Sequence, residues 1–249
     1  MNTLITRYEE IAMNAWPALE NVLYDGWVLR FANGYTRRAN SINPIYRSTM
    51  DVSAKLARCE EIYSQRGLRT IFKMTEAVFP GNLDHLLDGK GYAREAETSV
   101  QTVMLDSVEP KIDPRVDISS RADDLWFDAF FRTSRADVKY RSTLSSMLDK
   151  SIQPKCFARI RDGGSIVACG IGVLEEKVVG LFDIIVEERL RGRGLGRVIT
   201  ESILAWARNA GAEESYLQVM MDNNIARGLY HKLGYTEIYR YWYRVSRGP

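Results

Sequence analysis

The sequence predicts an α/β protein in which strands and helices alternate along the chain. The clearest evidence is the segment Val178–Val186, a nearly unbroken apolar run that is typical of a buried strand. Three glycines follow within five positions, at Gly192, Gly194 and Gly196. Apolar residues then recur at helical spacing as far as Trp206. This part of the chain is therefore predicted to form a strand, a glycine loop and a helix.

The first half of the chain carries further helix and strand patterns. Apolar spacing predicts a helix from Thr6 to Tyr24 that is interrupted at Pro17. Trp27–Phe31 and Tyr35–Ile42 are predicted as two strands of a hairpin that turns at Asn33-Gly34. The remaining elements are a helix at 52–63, a strand at 68–74, a short helix at 83–87 and a strand at 98–105.

The second half contains a predicted β-meander followed by the glycine loop. Helices are expected at 123–133 and 144–150, a hairpin at 157–160 and 165–173, a strand at 215–221, a helix at 223–232 and an aromatic strand at 236–245. Both halves contain a strand, a short helix, a Gly-Tyr pair and a strand, with the pairs at Gly91-Tyr92 and Gly234-Tyr235. This repeated order of elements predicts a duplicated domain. We expect two domains, 1–110 and 111–249, joined near the linker Glu109–Pro114.

Composition restricts the class of protein. The chain has 249 residues, 45% hydrophobic and 27% charged, which is typical of a soluble globular protein. A net charge of +2 gives no indication of a nucleic-acid partner, and we expect neither a membrane span nor a signal peptide. The three scattered cysteines favour a reducing, cytoplasmic setting. With two histidines and no Cys-x-x-Cys motif, we expect no metal site.

The glycine loop is a candidate anion site. The first amides of a helix have no acceptor within the helix, and the helix dipole favours negative charge there, so phosphate is the natural ligand. Four arginines add positive charge, at Arg189, Arg191, Arg193 and Arg197. The loop lacks the Gly-Lys-Ser/Thr ending of a Walker loop and the third glycine of a dinucleotide fingerprint. An arginine-rich loop that opens an ordinary surface helix is the alternative.

Two motifs together carry a family resemblance. The hexapeptide Arg191–Gly196, with the pattern Arg-x-x-Gly-x-Gly after a strand, resembles the pyrophosphate loop of GNAT-family N-acetyltransferases. Farther along the chain, the segment from Asn223 through Tyr230 to Gly234-Tyr235 resembles the second signature of that family. The resemblance implies a mixed, mostly antiparallel central sheet flanked by helices. It also implies that the first half is a degenerate GNAT-like copy without a phosphate loop.

The resemblance further implies acetyl-CoA as cosubstrate. In this family two parallel strands separate to admit the pantetheine arm, and here they would be 181–186 and 215–221. Asn223 and the backbone near Ile185 and Val186 would contact the arm. The pyrophosphate would bind the loop amides of Arg191, Gly192, Arg193, Gly194, Leu195 and Gly196.

Transfer to an amine needs two proton movements, and the chain has a candidate for each. The phenol of Tyr230 would stay protonated at neutral pH and could protonate the departing thiolate; the alternative is a core tyrosine. Asp183 lies in an apolar strand, where desolvation would make it a stronger base. It is equally consistent with a strand-edge carboxylate or an ion-paired one, and a water chain could serve as the base instead. Glu187 and Glu188 are interpreted as solvated loop charges.

The prediction from sequence is therefore an N-acetyltransferase. It would move an acetyl group from acetyl-CoA to a primary amine of a small molecule or a peptide, by direct attack in a ternary complex. The alternative is a non-catalytic acyl-CoA sensor or interaction module. We expect an amine acceptor and no metal, nucleic acid or membrane partner, and the sequence leaves open whether the protein is a monomer or a homodimer.

Overall fold

The computed structural model describes residues 3–248, which contain helices and strands in alternation. The helices are α1 Thr3–Ala15, α2 Val52–Gln65, α3 Leu83–Gly89, α4 Asp124–Ser134, α5 Arg141–Lys150, α6 Leu195–Asn209 and α7 Asn224–Lys232. The strands are β1 Glu20–Tyr24, β2 Trp27–Phe31, β3 Ile42–Asn43, β4 Ile71–Thr75, β5 Ala93–Met104, β6 Val116–Ser119, β7 Lys155–Asp162, β8 Ser165–Glu175, β9 Val178–Val186, β10 Glu214–Met220 and β11 Thr236–Val245. Most strand pairs are antiparallel, and the mixed α/β class is confirmed. None of the helices between residues 3 and 248 is long and apolar enough to cross a membrane.

The chain forms two compact units whose residues are not contiguous in sequence. The first takes in the chain up to Ser99, the segment Thr143–Ser151 and the chain from Tyr239 onward. The second comprises Val100–Ser142 and Ile152–Ile238. The first unit therefore includes most of α5 and β11, although both lie in the second half of the sequence. The boundary expected at 110, as a boundary between two copies of one domain, stays a prediction.

In the first unit the strand order is β1-β2-β3-β4-β11. The pairing of β11 with β4 is antiparallel and extends from Tyr241 opposite Thr75 to Val245 opposite Ile71. Ion pairs from Arg244 to two aspartates of α3 fix the end of β11. The C-terminal strand is thus a structural part of this unit.

The hairpin of the first unit lies earlier than the sequence predicts. Strands β1 and β2 pair around Asp25-Gly26, and the predicted helix from 6 to 24 is wrong beyond Ala15. A side chain at Gly26 would lie 2.1 Å from the Arg47 carbonyl oxygen, so only glycine fits this turn. After Asn33 the predicted second strand is instead a 3-10 turn. The Asn40 side-chain oxygen accepts from the backbone N–H groups of Ala32 and Gly34 at 2.7 and 2.9 Å and holds the chain in this turn.

In the second unit the strand order is β5-β10-β9-β8-β7-β6. Helix α6 packs closely on β8 because two glycines of the strand leave room for it. Ideal Cβ atoms at Gly170 and Gly172 would lie 2.8 Å from Ile199 and 2.5 Å from Ile203, respectively. This close packing fixes the axis of α6 and places its first turn directly after β9 and the glycine loop.

Candidate functional site

The glycine loop has the backbone geometry that its sequence suggests. After β9 a short 3-10 turn leads to Gly192 and Gly194, with φ angles of +75° and +78°. Such angles belong to the left-handed region, where a residue with a Cβ is strained. Apart from the chain neighbours of each glycine, no atom of the described residues lies within 4 Å of an ideal Cβ at Gly192 or Gly194. The loop backbone therefore lies open for a ligand to approach.

The first turn of α6 is uncapped. Gly194 is the N-cap residue and supplies no side-chain hydrogen bond, and the first turn contains no acidic residue. In an α-helix each N–H donates to the carbonyl oxygen four residues earlier. For Leu195, Gly196 and Arg197 that position lies before the helix, so their N–H groups have no acceptor within it. Gly196 lies against its neighbours: an ideal Cβ there would be 3.7 Å from Val186 of β9. This helix start is a positive site next to the end of β9.

The arginines of the loop differ in their pairing. Arg189 and Arg197 are each held in an ion pair by a nearby glutamate, so their charges are partly neutralised. Nε of Arg191 donates to the Val186 carbonyl oxygen at 3.3 Å, which folds the side chain back onto β9. Arg193 makes no ion pair with any residue in the described part of the chain. Arg193 is thus the loop cation whose charge is most available to an anion.

Strands β9 and β10 run parallel and separate part-way along their length. Their register extends only as far as Leu181 opposite Leu217. Beyond that point β9 continues to Val186 and β10 to Met220. The separation opens a gap between two strands in the middle of a sheet, and the uncapped start of α6 lies just after the end of β9.

A β-bulge in β9 lies at this separation. On β8, Ile171 is opposite Phe182 and Cys169 is opposite Ile185, so β9 carries one extra residue between them. Asp183 lies in the bulge with a φ of +50°. Aspartate tolerates this conformation better than most residues, because its short polar side chain can bond locally. The bulge therefore gives Asp183 a structural role.

The bulge also decides which backbone groups face the gap. The N–H of Glu187 donates to the Val167 carbonyl oxygen on β8 at 2.8 Å. Because N–H and C=O directions alternate along a strand, the backbone of Ile185 also faces β8. The backbones of Ile184 and Val186 face the opposite edge, where β10 has separated. The contacts predicted between the pantetheine arm and the backbone of Ile185 and Val186 stay predictions.

Tyr230 is buried on α7 with 8% of its surface exposed. Burial raises the pKa of Tyr230 to about 12, so the phenol is protonated at neutral pH. Its ring contacts that of Tyr235, with centroids 5.8 Å apart. The Tyr235 hydroxyl shares a hydrogen bond of 2.6 Å with Ser215 on β10. Tyr235 belongs to the Gly-Tyr pair that the sequence marks, whereas no sequence pattern indicates a role for Ser215.

Asn223 is the N-cap residue of α7. Its Oδ1 accepts from the Ala226 backbone N–H at 3.1 Å, a standard capping bond. Its Nδ2 donates to no residue of the part that the structure describes. The predicted contact between Asn223 and the pantetheine arm thus stays a prediction that the Nδ2 atom could fulfil.

The three cysteines are buried and form no disulfide. Burial raises the pKa of the Cys169 thiol to about 12, and the nearby charge of Asp183 adds to the increase. Burial is also the main cause that raises the pKa of Cys59 and Cys156 to the same value. All three are therefore neutral thiols near pH 7, which is unfavourable for a cysteine nucleophile. Within residues 3–248 no cluster of three or more His, Cys, Asp or Glu side chains could hold a metal ion.

The structural role of Asp183 leads to a prediction. We expect Asp183→Asn to keep the bulge and to retain kcat within about threefold, because asparagine tolerates the same backbone conformation. Asp183→Ala should lose roughly 1 kcal/mol of unfolding free energy, since alanine is strained at positive φ. Thermal unfolding and steady-state rates measure both effects. A hundredfold loss of kcat in a normally stable Asn variant would instead identify Asp183 as the base.

Comparison with known proteins identifies the family of this chain. A family model described as "Probable histone acetyltransferase Rv0428c C-terminal" matches residues 3–244. The chain belongs to this family. Among curated relatives, the "Uncharacterized N-acetyltransferase YobR" of Bacillus subtilis is 28% identical over 98% of this chain and 99% of its own. The "Probable histone acetyltransferase Rv0428c" of Mycobacterium tuberculosis is 24% identical over 86% of this chain and 66% of its own.

The fold is that of the GNAT acetyltransferases. A GCN5-related N-acetyltransferase from Kribbella flavida superposes with a TM-score of 0.71 and covers 98% of this chain and 96% of its own. Their sequences are only 15% identical, so this similarity concerns the fold. The family match confirms the resemblance that the two motifs predict. The protein is accordingly a member of an acetyltransferase family.

Proposed function

We propose that the protein is an N-acetyltransferase that moves the acetyl group of acetyl-CoA to a primary amine of a small molecule or a peptide. The observation that carries this proposal is the gap between β9 and β10 beside the uncapped start of α6. Acetyl-CoA is an extended thioester whose arm carries amides and whose other end carries a pyrophosphate. A gap edged by strand backbone suits the arm, and a helix start suits the pyrophosphate.

The residues of the site fit these two parts of the ligand. The backbone N–H groups between Arg191 and Gly196 would hold the pyrophosphate, with Arg193 adding charge. The backbones of Ile184 and Val186 would pair with amides of the arm, and Nδ2 of Asn223 would contact the same arm. No ion pair has to break for these contacts to form. The first-turn amides have no acceptor within the helix, and the Arg193 guanidinium forms no ion pair with a described residue.

The chemistry is direct attack of the amine on the thioester. A carbon–nitrogen bond forms, the carbon–sulfur bond breaks, and the electron pair leaves on sulfur. An alkyl amine has a pKa of about 10, so it must lose a proton before attack. In our proposal water takes this proton, because the bulge already explains why an aspartate lies at position 183. Tyr230 is protonated at neutral pH and supplies a proton to the departing thiolate. The nitrogen loses its second proton to water as the amide forms, and water returns a proton to the Tyr230 phenolate.

The cysteines favour direct attack over an acyl-cysteine route. Their thiols are buried and protonated, and none lies in either motif. Reduced cysteines also suit a cytoplasmic protein, so a cytoplasmic location is part of the proposal.

The test is release of CoA thiol across a panel of amines. The panel should contain small alkyl amines and a lysine-containing peptide, the latter because the mycobacterial relative bears a histone acetyltransferase name. We expect turnover with at least one primary amine, and a rate that rises with pH as the acceptor loses its proton. Calorimetry with acetyl-CoA provides the second measurement. Tight binding without turnover on any amine would contradict the proposal and favour the alternative of an acyl-CoA sensor.

A further inference from the structure

A cavity lies beside α7 on the second unit and is not part of the cosubstrate site. Its volume is about 540 Å³, enough for a small organic molecule. Helix α7 contributes one wall and strand residues contribute the other. The lining residues that matter here are Arg227, Gly228 and His231 on the helix, and Gln101, Tyr235 and Glu237 opposite.

Arg227 presents an incompletely bonded guanidinium to this cavity. Its Nη1 donates to the Met221 carbonyl oxygen at 3.2 Å and to Asn224 Oδ1 at 3.5 Å. Its Nε is enclosed by protein and has no acceptor, and no described residue forms an ion pair with the group. Enclosed N–H groups without an acceptor are rare and costly. A guanidinium can donate two parallel N–H bonds to the two oxygens of a carboxylate or a phosphate.

Gly228, the next residue of α7, leaves open space beside the cavity. It lies inside α7, where glycine costs about 1 kcal/mol relative to alanine. Apart from its chain neighbours and the backbone of α7 itself, no atom of the described residues lies within 4 Å of an ideal Cβ at this position, so packing does not require glycine. A side chain there would instead extend into open space beside the cavity. The room is explained if a ligand occupies it.

The opposite wall connects the cavity to the candidate acid. Tyr235 lines the cavity, and its ring contacts the ring of Tyr230. Glu237 supplies a carboxylate on this wall, and His231 adds a nitrogen one turn after Arg227.

We propose that this cavity binds the acceptor, and that Arg227 recognises a carboxylate or phosphate group carried by the acceptor amine. This inference rests on the proposed function and specifies its substrate class. The shared chemistry is an oxyanion with two oxygens that can accept from one guanidinium edge.

The experiment uses three small amines of similar length: β-alanine, phosphoethanolamine and propylamine. We expect the full-length wild-type protein to acetylate one of the two anionic amines with a higher kcat/KM than propylamine. Arg227→Ala should lower that value about ten- to a hundredfold, the usual effect of losing a charge-assisted bond. It should leave propylamine within about threefold. The stronger anionic substrate identifies whether the group is a carboxylate or a phosphate.

Two further variants separate recognition from folding. Lys232→Ala removes the same charge from the same helix outside the cavity, and all three amines should react as in the wild type. Gly228→Leu should fold at least as stably as the wild type, because leucine favours a helix more than glycine does. It should nevertheless reduce kcat/KM for the anionic amines, since its side chain extends into the cavity.

The outcomes distinguish this inference from the proposed function. Equal losses for propylamine and the anionic amines, or a loss of acetyl-CoA affinity in Arg227→Ala, would overturn the assignment of Arg227. Should no amine react at all, the proposed function fails, and calorimetry with β-alanine and phosphoethanolamine becomes the deciding measurement. If the wild type binds either anionic amine and Arg227→Ala abolishes that binding, the assignment of the anion site stands. Absence of binding, or equal binding in both proteins, would overturn it.

Discussion

Gly194→Asp is expected to weaken acetyl-CoA binding at least about a hundredfold, the equivalent of roughly 2.7 kcal/mol. Two effects add. Gly194 has a φ of +78°, where an aspartate is mildly strained. More importantly, a carboxylate at the N-cap of α6 would accept from the first-turn amides and repel the pyrophosphate that we assign to them. Isothermal calorimetry with acetyl-CoA measures the change directly.

Gly163→Asp provides a matched control for this variant. Gly163 lies in the turn between β7 and β8 with a φ of +54°, and an ideal Cβ there also meets no atom within 4 Å. The two substitutions thus introduce the same charge at similar backbone strain. We expect the control to bind acetyl-CoA normally. Equal weakening in both variants, or normal binding in Gly194→Asp, would remove the loop from the cosubstrate site.

Tyr230→Phe is expected to lower kcat about 10²- to 10⁴-fold, the range that a positioned general acid contributes. The KM for acetyl-CoA should change by less than about threefold, because the proton is needed only as the carbon–sulfur bond breaks. Since the pKa of Tyr230 is raised to about 12, the wild-type rate should show no decline from phenol ionisation up to about pH 10. Initial rates of thiol release between pH 6 and 10 provide this measurement.

Tyr235→Phe is the comparison for that variant. It removes a hydroxyl that is bonded to Ser215, so about 1 kcal/mol of unfolding free energy should be lost. The Tyr230 hydroxyl bonds to no described residue, and its removal should leave the melting temperature nearly unchanged. Hence the two variants should show opposite patterns, with activity lost in one and stability lost in the other. A fully active Tyr230→Phe protein would exclude the tyrosine as the acid.

The sequence was most informative where local chemistry determines the backbone. Strand β9 and helix α6 begin and end at the residues that the pattern indicates, because apolar periodicity and glycine are local signals. It was least informative between Pro17 and Ile42. There Asp25-Gly26 and Asn33-Gly34 carry the same hairpin signal, and both have positive φ angles. Only the partner strands and the Asn40 side chain decide that the first turn closes a hairpin.

The features of the candidate site fall into the same two groups, those that local sequence determines and those that tertiary packing determines. The sequence alone determined that a glycine loop opens a helix and that Asn223 and Tyr230 share the following short helix, because turns, caps and helix spacing depend on neighbouring residues. Only the tertiary structure decided where β9 leaves β10, that a bulge holds Asp183, and that Ile184 rather than Ile185 faces the gap. It also buried Tyr230 and left the Nε of Arg227 without an acceptor. These features depend on strand register and on packing between distant segments, which no local pattern contains.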